Sequence, residues 1–106
     1  MNRKGIVFYN NTKCGIIEET DEGYSFVYDD QYLNNENAKP ISLTMPLTEE
    51  KYFSEYLFPF FDGLIPEGWL LKIVEKKWGI NRNDRMGLLL CACQDTIGAV
   101  SVKVVE

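Results

Sequence analysis

The side chains with the most chemical capacity are three cysteines, Cys14, Cys91 and Cys93, and four adjacent carboxylate pairs. The pairs are Glu18-Glu19, Asp21-Glu22, Asp29-Asp30 and Glu49-Glu50. Cys91-x-Cys93 invites metal or thiol–disulfide chemistry. Its spacing is not the Cys-x-x-Cys of thioredoxin-like motifs, and the chain has no second ligand pair for zinc. Both cysteines close an apolar run and read as core thiols. The carboxylate pairs fall at turns and strand ends, where solvated charge is expected rather than acid–base catalysis. The sequence contains no histidine, which removes the usual general base and the commonest metal ligand. No Gly-rich phosphate loop is present, and no catalytic Asp with a metal-binding Asn at kinase spacing. The sequence therefore nominates no catalytic residue, no metal ligand and no cofactor. It describes a protein that acts by contact.

Composition narrows the contact. At 106 residues, 45% hydrophobic, 25% charged and 13% aromatic, the chain suits one folded domain spanning 1–106. The net charge of −5 opposes nucleic acid as the main partner, because phosphate binding needs clustered Lys and Arg. Basic residues concentrate only at Lys72, Lys76 and Lys77, with Arg82 and Arg85 just beyond. An odd cysteine count without a secretory leader reads as reduced thiols in the cytoplasm. The apolar run Ile6–Tyr9 is too short for a membrane span.

Those contacts must be carried by elements. Gly5–Tyr9, Cys14–Glu18 and Tyr24–Tyr28 are β-branched or aromatic runs separated by Asn10-Asn11 and Asp21-Glu22-Gly23, which predicts a three-stranded antiparallel meander. Tyr24, Phe26 and Tyr28 share one face at period two. Asp29–Lys39 is polar and reads as a loop. Pro40–Pro46 reads as an extended piece lining or edging the sheet. Thr48 predicts the cap of a short helix over Lys51–Leu57, interrupted by Pro59, with Phe60, Phe61, Leu64 and Ile65 buried. The clearest helix starts with Pro66 at its first position and Glu67 in its first turn, and ends at Trp78 before Gly79. A further helix, Asp84–Cys93, is expected behind an Asn81 or Asn83 cap. The alternating stretch Gly98–Val105 is expected to be the last strand. The fold class is α+β: a small, mostly antiparallel sheet with about three short helices packed against it.

On a helical wheel of about 100° per residue, Leu70, Ile73, Val74 and Trp78 predict the core stripe of the main helix. Trp69 falls about 115° from its centre, toward Lys72 and Lys76. Two readings stay open. A loop covers Trp69, since tryptophan is mostly buried even off the main stripe. Alternatively it stands exposed and anchors a partner, as tryptophan does at interface hot spots.

Four ordered segments carry a resemblance. They are Ile41-Ser-Leu-Thr-Met-Pro-Leu47, Phe60-Phe-Asp-Gly-Leu-Ile-Pro-Glu-Gly68, Leu88-Leu-Leu90 and Asp95-Thr-Ile-Gly-Ala-Val100. In this order and spacing the chain resembles the N-terminal region of HipA-type serine/threonine kinase toxins, over essentially its whole length. One departure is Cys93, where that family commonly has a glycine suited to a left-handed helix end. The resemblance implies a non-catalytic module, since the kinase part of such proteins lies C-terminal to this region. In free-standing form it resembles the HipS-like antitoxins, which bind and inhibit a HipA/HipT-like kinase in trans, beside a HipB-like helix-turn-helix DNA-binding protein. A regulatory N-terminal piece of a longer HipA-like kinase is the alternative. The expected partner-binding residues are Ile65, Pro66, Glu67, Gly68, Trp69, Lys72 and Lys76, with Trp69 as anchor. Direct nucleic-acid or membrane contact is not expected.

Overall fold

Two asparagines start the fold. In the computed structural model, which describes residues 3–94 and 99–105, Asn10 and Asn11 both take the left-handed backbone, with φ 49° and 67°. Two consecutive left-handed residues make the hairpin turn whose twist matches the flanking strands, and asparagine tolerates that conformation better than most residues. The turn joins strand β1 (Lys4–Tyr9) to β2 (Thr12–Thr20). Val7 pairs with Gly15 and Phe8 with Lys13, so Cys14 is an extra residue that bulges β2. A Cβ at Gly15 would lie 2.5 Å from the Val27 carbonyl oxygen and 2.7 Å from the Phe26 ring, so only glycine fits there.

β3 (Gly23–Tyr28) completes the expected meander. β4 (Tyr52–Ser54) and β5 (Val100–Val104) extend it at either edge, giving the order β4-β3-β2-β1-β5 with every pairing antiparallel. Four helices complete this α+β fold: α1 (Asp30–Leu33), α2 (Pro59–Asp62), α3 (Gly68–Trp78) and α4 (Arg85–Ala92).

Several boundaries differ from the sequence reading, each for a local reason. The helix expected over Lys51–Leu57 is instead β4. Gly23 lets that backbone approach closely, since a Cβ there would meet the Ser54 carbonyl oxygen at 2.3 Å. β3 thereby gains a neighbour for Phe26, and Tyr52 and Phe53 are good strand formers. The Thr48 hydroxyl only closes a small turn, accepting from the Glu50 amide at 3.1 Å. The loop expected after Asp29 opens with the single turn α1. Asp84 caps α4, its carboxylate accepting from the Gly87 amide at 3.1 Å, while Asn81 instead turns the chain by accepting from the Asn83 amide. Gly98, the expected start of the last strand, lies outside the described residues, as does Asp95–Gly98 of the last family-like segment.

One face of the sheet is apolar. Val7, Ile17, Phe26, Tyr28 and Val102 are fully buried on it, and Met86, Leu88 and Leu89 of α4 pack into the same core. Phe61 joins them, its ring 5.6 Å from that of Phe26. Phe60 and Leu64 are only half-buried, whereas Phe61 and Ile65 are buried as expected.

The Pro40–Pro46 segment lines this core without becoming a strand. Ile41 and Met45 are buried and only a bridge between Ser42 and Met45 is formed. Three tyrosine hydroxyls hold it. Tyr28 accepts from the Ile41 amide at 3.1 Å and donates to the Met45 carbonyl. Tyr32 donates to the Lys39 carbonyl and accepts from the Lys39 amide at 3.0 Å. Tyr52 donates to the Pro46 carbonyl at 2.6 Å. At the opposite end Arg3 bridges β2 to α4, donating to both oxygens of Glu19 (2.7 and 2.9 Å) and both of Asp84 (3.1 and 2.8 Å).

Two outcomes follow. Tyr28→Phe strands the buried Ile41 amide and Met45 carbonyl, so it is expected to lower unfolding free energy by about 2 kcal/mol or more in a urea titration. Asp84 is held below the ordinary carboxylate range, first by the Arg3 hydrogen bonds. Its unfolded carboxyl titrates near about 3.9, so its contribution is complete above that pH and is lost as pH falls through the lower folded value. Arg3→Met is therefore expected to flatten the acid limb of the stability–pH curve below about pH 4.

Candidate functional site

The chemistry-bearing residues do not converge. Cys14 and Cys93 are buried, and burial pushes their thiols up to about 12 and about 11. Cys91, half-buried, is also raised, chiefly by desolvation. These are the opposite of the low-pKa, accessible thiols that react. The Cys93 thiol donates to the Leu64 carbonyl at 3.3 Å and its own carbonyl accepts from the Val102 amide at 2.8 Å. Its backbone is not left-handed (φ −110°, ψ 20°), so the cap geometry that seemed to need glycine does not arise. Glu19 is taken up by Arg3, and Asp29 lies 3.9 Å from Lys13. Among the described residues no group of three or more Cys, Asp or Glu could hold a metal ion.

What does stand out is α3. None of its residues is buried. Only Leu71 and Val74 pack partly against the core, and the expected stripe is rotated. Leu70 and Ile73, assigned to the core by periodicity, are 44% and 49% exposed, and Trp78 is 53% exposed. The midpoint between Leu71 and Val74 lies about 170° round the wheel from Trp69. Trp69 is accordingly 73% exposed, and no loop covers it.

Gly68, the first residue of α3, has φ +62°, a left-handed conformation that costs a side-chain-bearing residue about 1–2 kcal/mol. It turns the chain sharply between the preceding segment and Trp69. Pro66 thus precedes the helix instead of opening it, and Glu67 is the residue before its first turn, extended (φ −121°, ψ 168°) and without a side-chain cap bond. Ile65 is buried and supports the corner from below, while Pro66 is half-buried and Glu67 and Gly68 are exposed. Lys72 and Lys76 are exposed on the Trp69 side of the helix. Arg82, a weaker rim candidate, is drawn away to Glu75, with Nη2–Oε1 at 2.9 Å. The exit of α3 repeats the device: Gly79 is left-handed (φ +66°) and closes the helix, its amide donating to the Glu75 carbonyl at 2.8 Å.

The periodicity that places Leu70 and Ile73 in the core is overturned by their exposure. The signal was available: Leu71 and Val74 also form an apolar pair at helical spacing, and it is this pair that packs partly against the core.

Comparison with known proteins agrees with this domain geometry. The family described as the HipA N-terminal domain matches residues 5–103. An uncharacterised protein of Haemophilus influenzae is 32% identical over 101 residues, covering 95% of this chain and 92% of that protein. "Putative kinase Y4mE" of Sinorhizobium fredii is 29% identical over 77 residues, 73% of this chain but 18% of that protein. Among solved structures, the N-terminal domain of HipA toxin superposes with a TM-score of 0.72 at 28% identity, covering 98% of this chain and 93% of that one.

The thiol environments make a direct test. Native protein is expected to label slowly with a thiol–disulfide exchange reagent near neutral pH, with all three cysteines reacting only after denaturation. Rapid labelling of Cys91 in the native state would restore the thiol-enzyme reading.

Proposed function

The chain belongs to the HipA N-terminal domain family, and from that premise we propose that it is an antitoxin-type component that binds a HipA-like serine/threonine kinase in trans and inhibits it without catalysis of its own. The observation that carries this reading is Trp69, 73% exposed at a corner set by Pro66 and the left-handed Gly68. An exposed tryptophan is the kind of residue that anchors an interface, where truncation costs about 2 kcal/mol or more. Trp69 is the anchor. Pro66, Glu67 and Gly68 shape the corner, Ile65 holds it, and Lys72 and Lys76 lie on the rim. Glu67 sets a negative charge beside the anchor, toward the partner's phosphate-binding elements. Phosphoryl transfer depends on positioning, so a docked corner that holds the nucleotide loop in an unproductive arrangement suffices to inhibit.

A second reading has its own support. The Sinorhizobium protein contains a matching stretch within a far longer chain, as expected if the module is a regulatory N-terminal part of a HipA-like kinase.

The test is co-purification with HipA-related kinases of the same genome, followed by autophosphorylation with and without the chain. A stable complex with suppressed phosphorylation is expected, and Trp69→Ala is expected to weaken binding by about 30-fold or more. A Trp69→Ala protein that is folded and still inhibits fully would sink the anchor. A complex with undiminished phosphorylation would favour the regulatory-part reading.

A further inference from the structure

The exposed face of α3 continues past the corner. On the wheel Trp69, Ile73 and Leu70 lie within about 100° of arc. Lys76 and Lys72 border Trp69 at about 20° and 60° on one side, and Lys77 lies between Ile73 and Leu70. The three lysines make no ion pair among the described residues, whereas Arg3, Arg82 and Arg85 are all engaged with carboxylates. Lys77 instead sits over the Trp78 ring, 5.6 Å from its centroid. Lys76 and Lys77, in the last turn, also complement the helix dipole. Lys72, in mid-helix, lies three residues from Glu75, whose carboxyl its charge helps to lower after the larger effect of Arg82. A chain of net charge −5 thus gathers three exposed lysines around the exposed apolar face of α3.

We infer that the occupant of this face is a protein surface with an apolar groove rimmed by carboxylates, entered by Trp69, Ile73 and Leu70 and steered by Lys72, Lys76 and Lys77. The inference rests on the kinase-binding reading above and specifies the partner surface. Charge complementarity selects this occupant. A second copy of the chain would set lysines against lysines across a twofold interface. An anionic bilayer or a nucleic acid would attract α3 but repel the remainder of the chain.

The division of labour is specific. Rim charges govern association and its salt dependence, whereas buried anchors govern dissociation. Stopped-flow mixing with the co-purifying kinase reads both, because both tryptophans of the chain lie on α3 and report its occupancy. Lys72→Gln/Lys76→Gln/Lys77→Gln is expected to slow association by about 10-fold at low salt and to flatten its salt dependence, leaving dissociation nearly unchanged. Ile73→Ser is expected to speed dissociation by about 10-fold and leave association alone. Lys72→Glu alone, away from the helix end, guards against fraying, and circular dichroism checks each variant. Association that ignores both lysines and salt overturns the acidic rim, with kinase binding left standing. Faster association of the neutralised variant overturns it too, by revealing a basic partner. Absence of any complex overturns this inference together with the kinase reading. A lysine-dependent tryptophan blue shift on vesicles of equal phosphatidylglycerol and phosphatidylcholine, without a kinase effect, assigns the face to lipid and overturns it as well.

Discussion

Everything in this fold answers to one demand: a five-stranded sheet with a single apolar face must be roofed by a short chain. The eight-residue α4 cannot cover that area alone. The remainder falls to the single-turn α2 and to the irregular Pro40–Pro46 segment, which has few backbone partners of its own. Tyr28, Tyr32 and Tyr52 solve this by contributing ring area to the core and hydroxyls to the backbone of the covering segment. Tyrosines of the sheet and of α1 thereby both fill the core and fasten the segment that covers it. Arg3 does related work at the other end, tying β2 to the cap of α4 through Glu19 and Asp84.

With the roof complete, α3 adds only the partly buried Leu71 and Val74 to the core. It supplies no fully buried residue and lies between two left-handed glycines, Gly68 and Gly79, around which the space for a side chain is open. Neither glycine is required by packing. Both are required by backbone direction, one turning the chain into the helix and one turning it out. A helix so placed presents apolar and basic side chains to solvent without disturbing the sheet.

How much of this could be read from sequence depended on whether the determining forces were local. The meander was legible because Asn10-Asn11 and period-two aromatics encode turn and face within a few residues. β4 was not, because Tyr52–Ser54 has strand character only when β3 offers an edge and Gly23 permits the approach. The corner at Pro66–Trp69 was legible as a place, yet its geometry was inverted: proline and glutamate resemble a helix start, and the left-handed glycine postpones it. The face of α3 was misread because Leu70, Leu71, Ile73 and Val74 offer two apolar arcs, and hydrophobicity ranks both equally. Membership of the HipA N-terminal domain family was legible in the ordered segments, which are largely those that line the core or set the corner. No described helix is long and apolar enough to cross a membrane.

The two glycines that fence α3 have an evolutionary consequence. Substitutions at exposed positions typically change stability by within about 0.5 kcal/mol, whereas core changes routinely cost several times that. A helix with no buried residue can therefore exchange Trp69, Ile73 or its lysines while the roofed sheet keeps its fold. If α3 carries recognition as proposed, selection for a new partner and selection for a folded domain act on separate sets of positions, and recognition can diverge faster than architecture.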